Sequence, residues 1–329
     1  MRRRELLIAA AVLTIAPAAR AQLPGRSSRP RLIAVAVPGV PNPENTRIAA
    51  FRNRLAEAGW VEGRDIEYVF AYDHGDSARH EKMIADLLAR KPSVLMAVFG
   101  NVALVAMKQT RDVPIVFAIS SNPEKIGLVA SLARPGGNVT GVSTREVEIL
   151  GKRVELMREI SPVIRRIAVL TNPSSPTIAE SYVRNYTEQA AKFGIQVMVA
   201  EARSAEELRP AFDRMAKEGA QGLLTVADSV QLQLREQIAA HAARLRLVAV
   251  YVVRDFVEAG GLASYGINLE EQYRRAAVHV DKILRGAKPA DLPVEEPTHF
   301  HLAVNLKAAR AQGLKLPQSV LVRADEVVE

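Results

Sequence analysis

Cysteine is absent from this 329-residue chain. That gap rules out disulfides, thiolate metal sites, a cysteine nucleophile and a cysteine-linked lipid anchor. Aromatic residues are scarce, at 5% with a single tryptophan, so the stacking platforms that nucleic-acid binding needs are missing. The sequence also lacks a G-x-S-x-G elbow, a phosphate-binding glycine loop and an H-E-x-x-H pair, which leaves no catalytic signature and calls for no cofactor.

What is present describes a globular chain. Hydrophobic residues make up 48% and charged residues 24%, and the length suits two α/β lobes better than one small core. The formal charge of +8 includes Arg2, Arg3, Arg4 and Arg20 near the start. These flank an apolar run, Leu6 to Ala16, that is too short to span a bilayer, followed by Ala19-Arg20-Ala21. The pattern is that of a secretory signal peptide over residues 1–21, of the Sec or twin-arginine type, and it places the mature protein in the periplasm. Its removal lowers the formal charge to +5. The remaining basic residues are interspersed with acidic ones, so they read as solvated surface and not as a nucleic-acid stripe.

After a lead-in over residues 22–30, a repeating order of apolar strand, polar turn and amphipathic helix sets in. Strands are expected at Arg31 to Val37, Ile66 to Ala71, Val94 to Phe99 and Pro114 to Ala118. Between them lie helices, one capped by Asn42 ahead of Pro43 and Glu44 and another starting near Ser77; Asn101 is expected to cap the one after the third strand. Strand-helix units in succession imply a parallel sheet with right-handed crossovers. A further helical piece is expected between Pro123 and Arg134. The run from Pro135 to Thr144, broken by Gly136, Gly137 and Gly141, reads as a crossing to a second lobe.

There the order restarts. A helix is expected from Arg145 to Ile160, with Glu148 paired to Lys152 on its wet face. Strands at Ile167 to Leu170, Ile195 to Ala200, Gly222 to Val226 and Leu247 to Tyr251 follow, with helix starts at Ser175 and at a Ser204 and Glu207 capping box. Gly260 to Gly266 reads as a second crossing and Pro289 to Pro297 as a third, with Gly141 and Gly266 as flexible straps. The fold class is therefore α/β: two similar doubly wound parallel-sheet lobes joined by a three-segment hinge. Lobe 1 takes residues 31–141 plus about 268–288, and lobe 2 takes 142–267 plus about 289–329. Ligands of such sheets lie beyond the carboxyl ends of the strands.

The runs Gly59-Trp60-Val61-Glu62-Gly63, Arg134-Pro135-Gly136-Gly137-Asn138-Val139-Thr140-Gly141, Phe256-Val257-Glu258-Ala259-Gly260-Gly261-Leu262 and Arg323-Ala324-Asp325-Glu326-Val327 carry a family likeness. The chain resembles the ABC transporter substrate-binding proteins with the type I periplasmic binding fold, relatives of tryptophan and phenylalanine binders. The resemblance implies a monomer that captures a small molecule, an amino acid or related compound, between its lobes and delivers it to an ABC permease of the inner membrane. An exported two-lobed enzyme or the sensing domain of a signalling system is the alternative.

The candidate ligand contacts sit at strand ends and crossings. Asn101 offers a helix start for a carboxylate, although the family commonly has a small hydroxyl residue there. Ser120, Ser121 and Asn122 lie where relatives often show an Asp-Pro pair. Ser143 and Thr144 follow the first crossing, Asn172 lies in a turn, and Tyr251 and Tyr265 could present an aromatic face. Asp228 corresponds to the aspartate with which the family meets a ligand's amino group. His299 and His301 alternate on one strand face, but no acid stands near them in sequence, so no metal site is expected. Asp73, His74 and Asp76 read as turn and cap residues.

Overall fold

A computed structural model describes residues 29–37, 39–42, 45–74, 77–174 and 176–329. The export signal, most of the lead-in, the helix start at Pro43 and Glu44, Asp76 and the Ser175 cap lie outside the described residues.

The first lobe is built in the order β1 (Arg31–Val37), α1 (Thr46–Glu57), β2 (Ile66–Tyr72), α2 (His80–Leu88), β3 (Val94–Phe99), α3 (Gly100–Gln109), β4 (Ile115–Ser120) and β5 (Val139–Ser143). Its strands form one parallel sheet, β2-β1-β3-β4-β5. Helices cover both faces, which is why the inner strands are continuous apolar runs without alternation. Ala34, Ala36, Leu95 and Phe117 pack with Met83, Leu87 and Val102 on one side. Ile33, Val35, Met96 and Val98 share a core with Phe51 and Leu55 on the other.

Two expected elements differ. Asn45 caps α1, its side chain accepting from the Arg47 and Ile48 amides, while Asn42 lies in the preceding turn and accepts from the Asn45 amide. The piece between Pro123 and Arg134 is a series of turns and not a helix. Its Leu128 and Val129 amides both reach back to the Pro123 carbonyl, and Gly127 takes a positive φ of 77° that breaks helical winding.

The second lobe runs α4 (Leu150–Ile160), β6 (Arg166–Thr171), α5 (Pro176–Ala191), β7 (Gln196–Glu201), α6 (Ala205–Lys217), β8 (Gly222–Leu224), α7 (Ser229–Gln233), α8 (Arg235–Arg244), β9 (Val248–Tyr251), α9 (Asp255–Glu258) and β10 (Ala263–Gly266). The chain then returns to the first lobe as α10 (Leu269–Leu284) before β11 (His301–Asn305), α11 (Leu306–Ala311), α12 (Gln318–Arg323) and β12 (Glu326–Val328). The helix expected from Arg145 is split: Arg145 is left-handed at φ 47°, Glu146–Ile149 form a 3-10 turn, and only then does α4 begin. Glu148 pairs with Arg145, and Lys152 pairs with Glu155. The Ser204 side chain makes no capping bond to α6, and Glu207 accepts from the Arg203 amide.

α10 belongs with α1. Trp60 donates to the Asp281 carboxylate at 2.7 Å, Arg274 pairs with Glu57, and Arg285 donates to the Ala58 carbonyl at 2.8 Å. This excursion explains an antiparallel pair in an otherwise parallel sheet of order β12-β11-β10-β9-β8-β6-β7. The chain leaves the second sheet at the Gly266 end of β10 and comes back to that same end, so His301 pairs with Gly266 and β11 runs the other way.

Three segments therefore connect the lobes: residues 143–146, 266–269 and 292–300. The first and third lie side by side, with Ser143 donating to the Glu295 carbonyl at 2.8 Å and Glu295 to the Gly141 carbonyl at 3.0 Å. Gly260 to Leu262 stay in the second lobe, since β10 precedes the crossing. Gly141 and Gly266 are not loose straps. A Cβ at 141 would stand 2.7 Å from the Phe117 ring, and one at 266 would stand 3.0 Å from the Val252 carbonyl carbon. Glycine is needed there for close backbone approach.

Candidate functional site

Parallel strands end together, so the tips of β3 and β4 and the start of α10 face the tips of β8 and β9 across the gap between lobes. There a partly open cavity of about 40 Å³ is lined by Phe99, Ile119, Thr144, Glu146, Ala227, Asp228, Leu232, Val252, Val253, Ile267 and Leu269. Both lobes and two of the crossings contribute to it.

Of the candidates chosen by sequence, Thr144 and Asp228 border this cavity. Asp228 is 7% exposed and caps α7, accepting from the Val230 amide at 2.9 Å and the Gln231 amide at 3.1 Å. Asn172 lies behind it. Its side-chain amide donates to the two Asp228 oxygens at 3.3 and 3.2 Å, while its own oxygen holds the Ser174 amide. Thr144 donates its amide to the Ser120 carbonyl at 2.9 Å, tying the first crossing to the end of β4.

The others sit elsewhere. Asn101 is exposed and lies inside α3; Phe99 is the cap, and Asn101 accepts from the Val102 amide. Buried Ser120 turns its hydroxyl toward Gly100, where an added Cβ would meet it at 2.7 Å. Ser121 is exposed, Asn122 accepts from the Lys125 amide, and Ser143 accepts from the Arg145 amide at 3.4 Å. The two tyrosines pack in different surroundings. Tyr251 is fully buried against Phe256, ring centroids 4.6 Å apart, and burial raises the pKa of its phenol. Tyr265 leans on Phe300 and lines a separate groove of about 420 Å³ with Lys152, Glu155, His299 and Arg323. Side chains alternate across a strand, and with Ser264 beside Tyr251 in the register of β9 and β10 the two rings lie on opposite faces of the sheet.

Sequence reasoning passed over Glu146. This carboxylate is 2% exposed, borders the cavity, and pairs with Arg153, which is fully buried. The guanidinium also donates to the Tyr265 carbonyl at 2.6 Å, the Tyr186 hydroxyl at 3.1 Å and the Val252 carbonyl at 3.4 Å. Burial is the largest influence on Arg153 and would lower its pKa, but Glu146 together with the Tyr186 and Tyr182 phenols outweighs it and the net shift is upward. The signal was an acid and a base seven residues apart, which would share one helix face. The apolar walls were legible too, as the last residues of β3 and β4.

The lobes also meet outside the cavity. Arg47 on α1 pairs with Asp255 on α9, each side chain 21% exposed. A Cβ on Gly39, beyond β1, would stand 3.0 Å from the Gln233 amide nitrogen on α7. Replacing Arg47 by Met is expected to cost the closed arrangement about 1 kcal/mol, enlarging the radius of gyration of the ligand-free protein in X-ray scattering. The charge-swapped pair Arg47→Asp with Asp255→Arg should reverse the change; an unaltered profile for the single variant would show that this ion pair does not hold the lobes together.

Elsewhere, His299 does find an acid, Asp325 at 2.9 Å, but among the described residues no group of three or more His, Asp or Glu is placed to hold a metal ion. Buried Asp73 binds the Gly39 amide at 2.6 Å and the His80 ring at 2.8 Å. Among the described residues no helix is long and apolar enough to cross a membrane.

Residues 33–328 match the family described as ABC transporter substrate binding protein. The chain belongs to that family. A tyrosine-binding protein of Clostridioides difficile is 24% identical over 280 residues, 84% of this chain and 80% of the relative. Among solved structures, an ABC domain from Streptococcus pneumonia in complex with L-Trp is 25% identical, with a TM-score of 0.81 over 91% of this chain and 100% of that one. The ligand-free, open structure of a substrate binding protein with adhesive properties from Clostridium difficile shares the fold, at 24% identity and a TM-score of 0.66 over 91% and 99% of the two chains. Two α/β lobes with a cleft between them are thus the architecture of a substrate-binding protein.

Proposed function

We propose that this protein is the periplasmic receptor of an ABC importer, which closes its two lobes over an amino acid or a related small molecule and presents it to the permease. It acts as a monomer and without catalysis. The observation that carries this reading is the cavity shared by both lobes, with a buried carboxylate, Asp228, at a strand end. The tyrosine- and tryptophan-binding relatives support an amino-acid cargo.

In this reading residues 31–141 with 268–288 move as one half, and 142–267 with 289–329 as the other. Ligand contacts made by only one half give affinity but no closure; contacts made by both favour the closed form. Turning a closed fraction of 1% into 99% takes about 5.5 kcal/mol of such differential binding. Asp228 would receive the ligand's ammonium in a charge-assisted bond of about 1.5–3 kcal/mol. The backbone amides at the start of α3, beside Ser120 and Ser121, would receive its carboxylate. Thr144 would add a contact from the crossing, and Asn172 would hold Asp228 in place.

The test is titration calorimetry with amino acids on the purified mature chain. Asp228→Asn is the informative variant, because asparagine caps a helix about as well as aspartate and so α7 should survive. Affinity is expected to fall roughly tenfold or more with little change in thermal midpoint. Full affinity in this variant would remove Asp228 from the site, and turnover of a bound compound would favour an enzyme instead.

A further inference from the structure

Backbone torsions single out one residue of the first crossing. Arg145 takes φ 47° and ψ 28°, a left-handed conformation that costs an L-residue about fivefold to thirtyfold in population. Three other non-glycine residues have positive φ. Lys91 and Arg246 come shortly after α2 and α8, where a left-handed residue ordinarily stops a helix, and His74 follows β2. Arg145 instead stands before a helical stretch, where no such stop is needed. Its side chain adds a second cost, since the buried Nε has no hydrogen-bond partner.

This strained residue lies between two anchors. Toward the first lobe, the Thr144 amide donates to the Ser120 carbonyl at the end of β4 at 2.9 Å, and the Ser143 amide to the Glu295 carbonyl at 2.8 Å. Toward the second lobe, the buried Glu146 carboxylate is held by Arg153, which also donates to the Tyr265 and Val252 carbonyls. The backbone bonds of Arg145 itself are short-range: its amide donates to the Ser143 hydroxyl at 3.4 Å and its carbonyl accepts from the Glu148 amide at 3.0 Å. A rotation of one lobe against the other therefore passes through the torsions of this residue, whereas the third crossing can spread it over residues 292–300. The lobes touch in this structure, with Arg47 paired to Asp255 and the Gly39 turn against Gln233, so the left-handed turn accompanies closure.

We infer that Arg145 is the pivot of the first crossing, a torsional spring wound in the closed form and released when the lobes part. It thereby sets how readily the protein closes, and so its apparent affinity for any cargo, without touching the cargo. This deepens the receptor reading above and rests on it for the opening and closing of the lobes, not for the identity of the ligand. Binding energy must first wind this turn, and a residue that adopts the left-handed conformation freely returns that share. Glycine does so without penalty, asparagine with a small one, alanine with the full one and β-branched valine with the largest.

The chain has no cysteine, so a fluorophore pair can be attached at Lys82→Cys on α2 and Arg209→Cys on α6, exposed positions on the two lobes. Single-molecule energy transfer on the ligand-free mature chain then reads the ratio of closed to open molecules. Arg145→Ala is the reference, because it removes the side-chain pairings with Glu148 and Glu296 and keeps the Cβ. Arg145→Gly should raise the closed-to-open ratio about fivefold or more above that reference, Arg145→Asn should fall between the two, and Arg145→Val should lie below the reference. Arg246→Gly relieves a left-handed residue away from the crossings, so it should leave the ratio at the wild-type value even where it shifts the thermal midpoint. A ratio no higher in Arg145→Gly than in Arg145→Ala, a reversed order, or an equal rise in Arg246→Gly would overturn the pivot and leave a receptor whose lobes exchange by another route. A single transfer efficiency shared by every variant would instead overturn the opening and closing that the receptor reading requires, and the inference with it.

Discussion

Arg153→Met is expected to destabilise the second lobe by about 3–5 kcal/mol, the usual consequence of stripping one partner from a buried ion pair. The guanidinium is fully buried and is the charge opposite Glu146, which is itself 2% exposed. Its loss would also leave the Tyr265 and Val252 carbonyls without this donor; Tyr265 lies at the end of β10, where the second crossing begins, and Val252 just follows β9. Denaturant unfolding, comparing midpoints at unchanged slope, measures the effect. Arg153→Lys should recover little, because an ammonium lacks the planar fork that reaches several acceptors at once. Arg153→Met combined with Glu146→Leu should recover most of it, since removing both charges leaves none stranded. A single Met variant within about 1 kcal/mol of the parent would show that water or rearrangement satisfies Glu146, and that the pair is not what fastens the crossings.

The contrast between Arg153 and the apolar strands explains what could be read in advance. Ile33 to Val37, Val94 to Val98 and Ile115 to Ile119 are buried on both faces, so composition alone marks them as inner parallel strands. The two lobes and their parallel sheets were legible for this reason. Side-chain direction at strand ends was not. Tyr251 and Tyr265 occupy suitable places along the chain, yet their rings pack on Phe256 and on Phe300, contacts between separate elements that no local signal fixes. Glu146 was hidden differently: a continuous helix was assumed from Arg145, whereas the left-handed Arg145 and the 3-10 turn after it carry the carboxylate into the cavity. The antiparallel β11 and the His299–Asp325 pair, whose members are 26 residues apart in sequence, depend on the path through α10, which no local pattern encodes.

Gly266→Ala should prove the most damaging small substitution in the chain. A methyl group there would overlap the Val252 carbonyl oxygen, stand 3.0 Å from its carbon and come within 3.1 Å of the Arg153 guanidinium. Two of those three obstacles are backbone atoms of β9's continuation, which cannot rotate aside as a side chain can. Overpacking in a tight core costs about 1–3 kcal/mol when side chains can adjust; here the strand itself must move, so about 3 kcal/mol or more is expected. Gly260→Ala is the matched control, because a Cβ there meets nothing within 4 Å and the penalty arises only from its φ of 93°, about 1–3 kcal/mol of backbone strain. The two variants separate further by ligand. Displacing Val252 moves a wall of the cavity, so Gly266→Ala, at the start of the second crossing, should lose ligand affinity even at temperatures where it remains folded. Gly260→Ala, well inside the second lobe, should keep it. If both variants unfold at the same denaturant concentration and bind alike, the close approach at Gly266 is not what couples the lobe's core to the cleft.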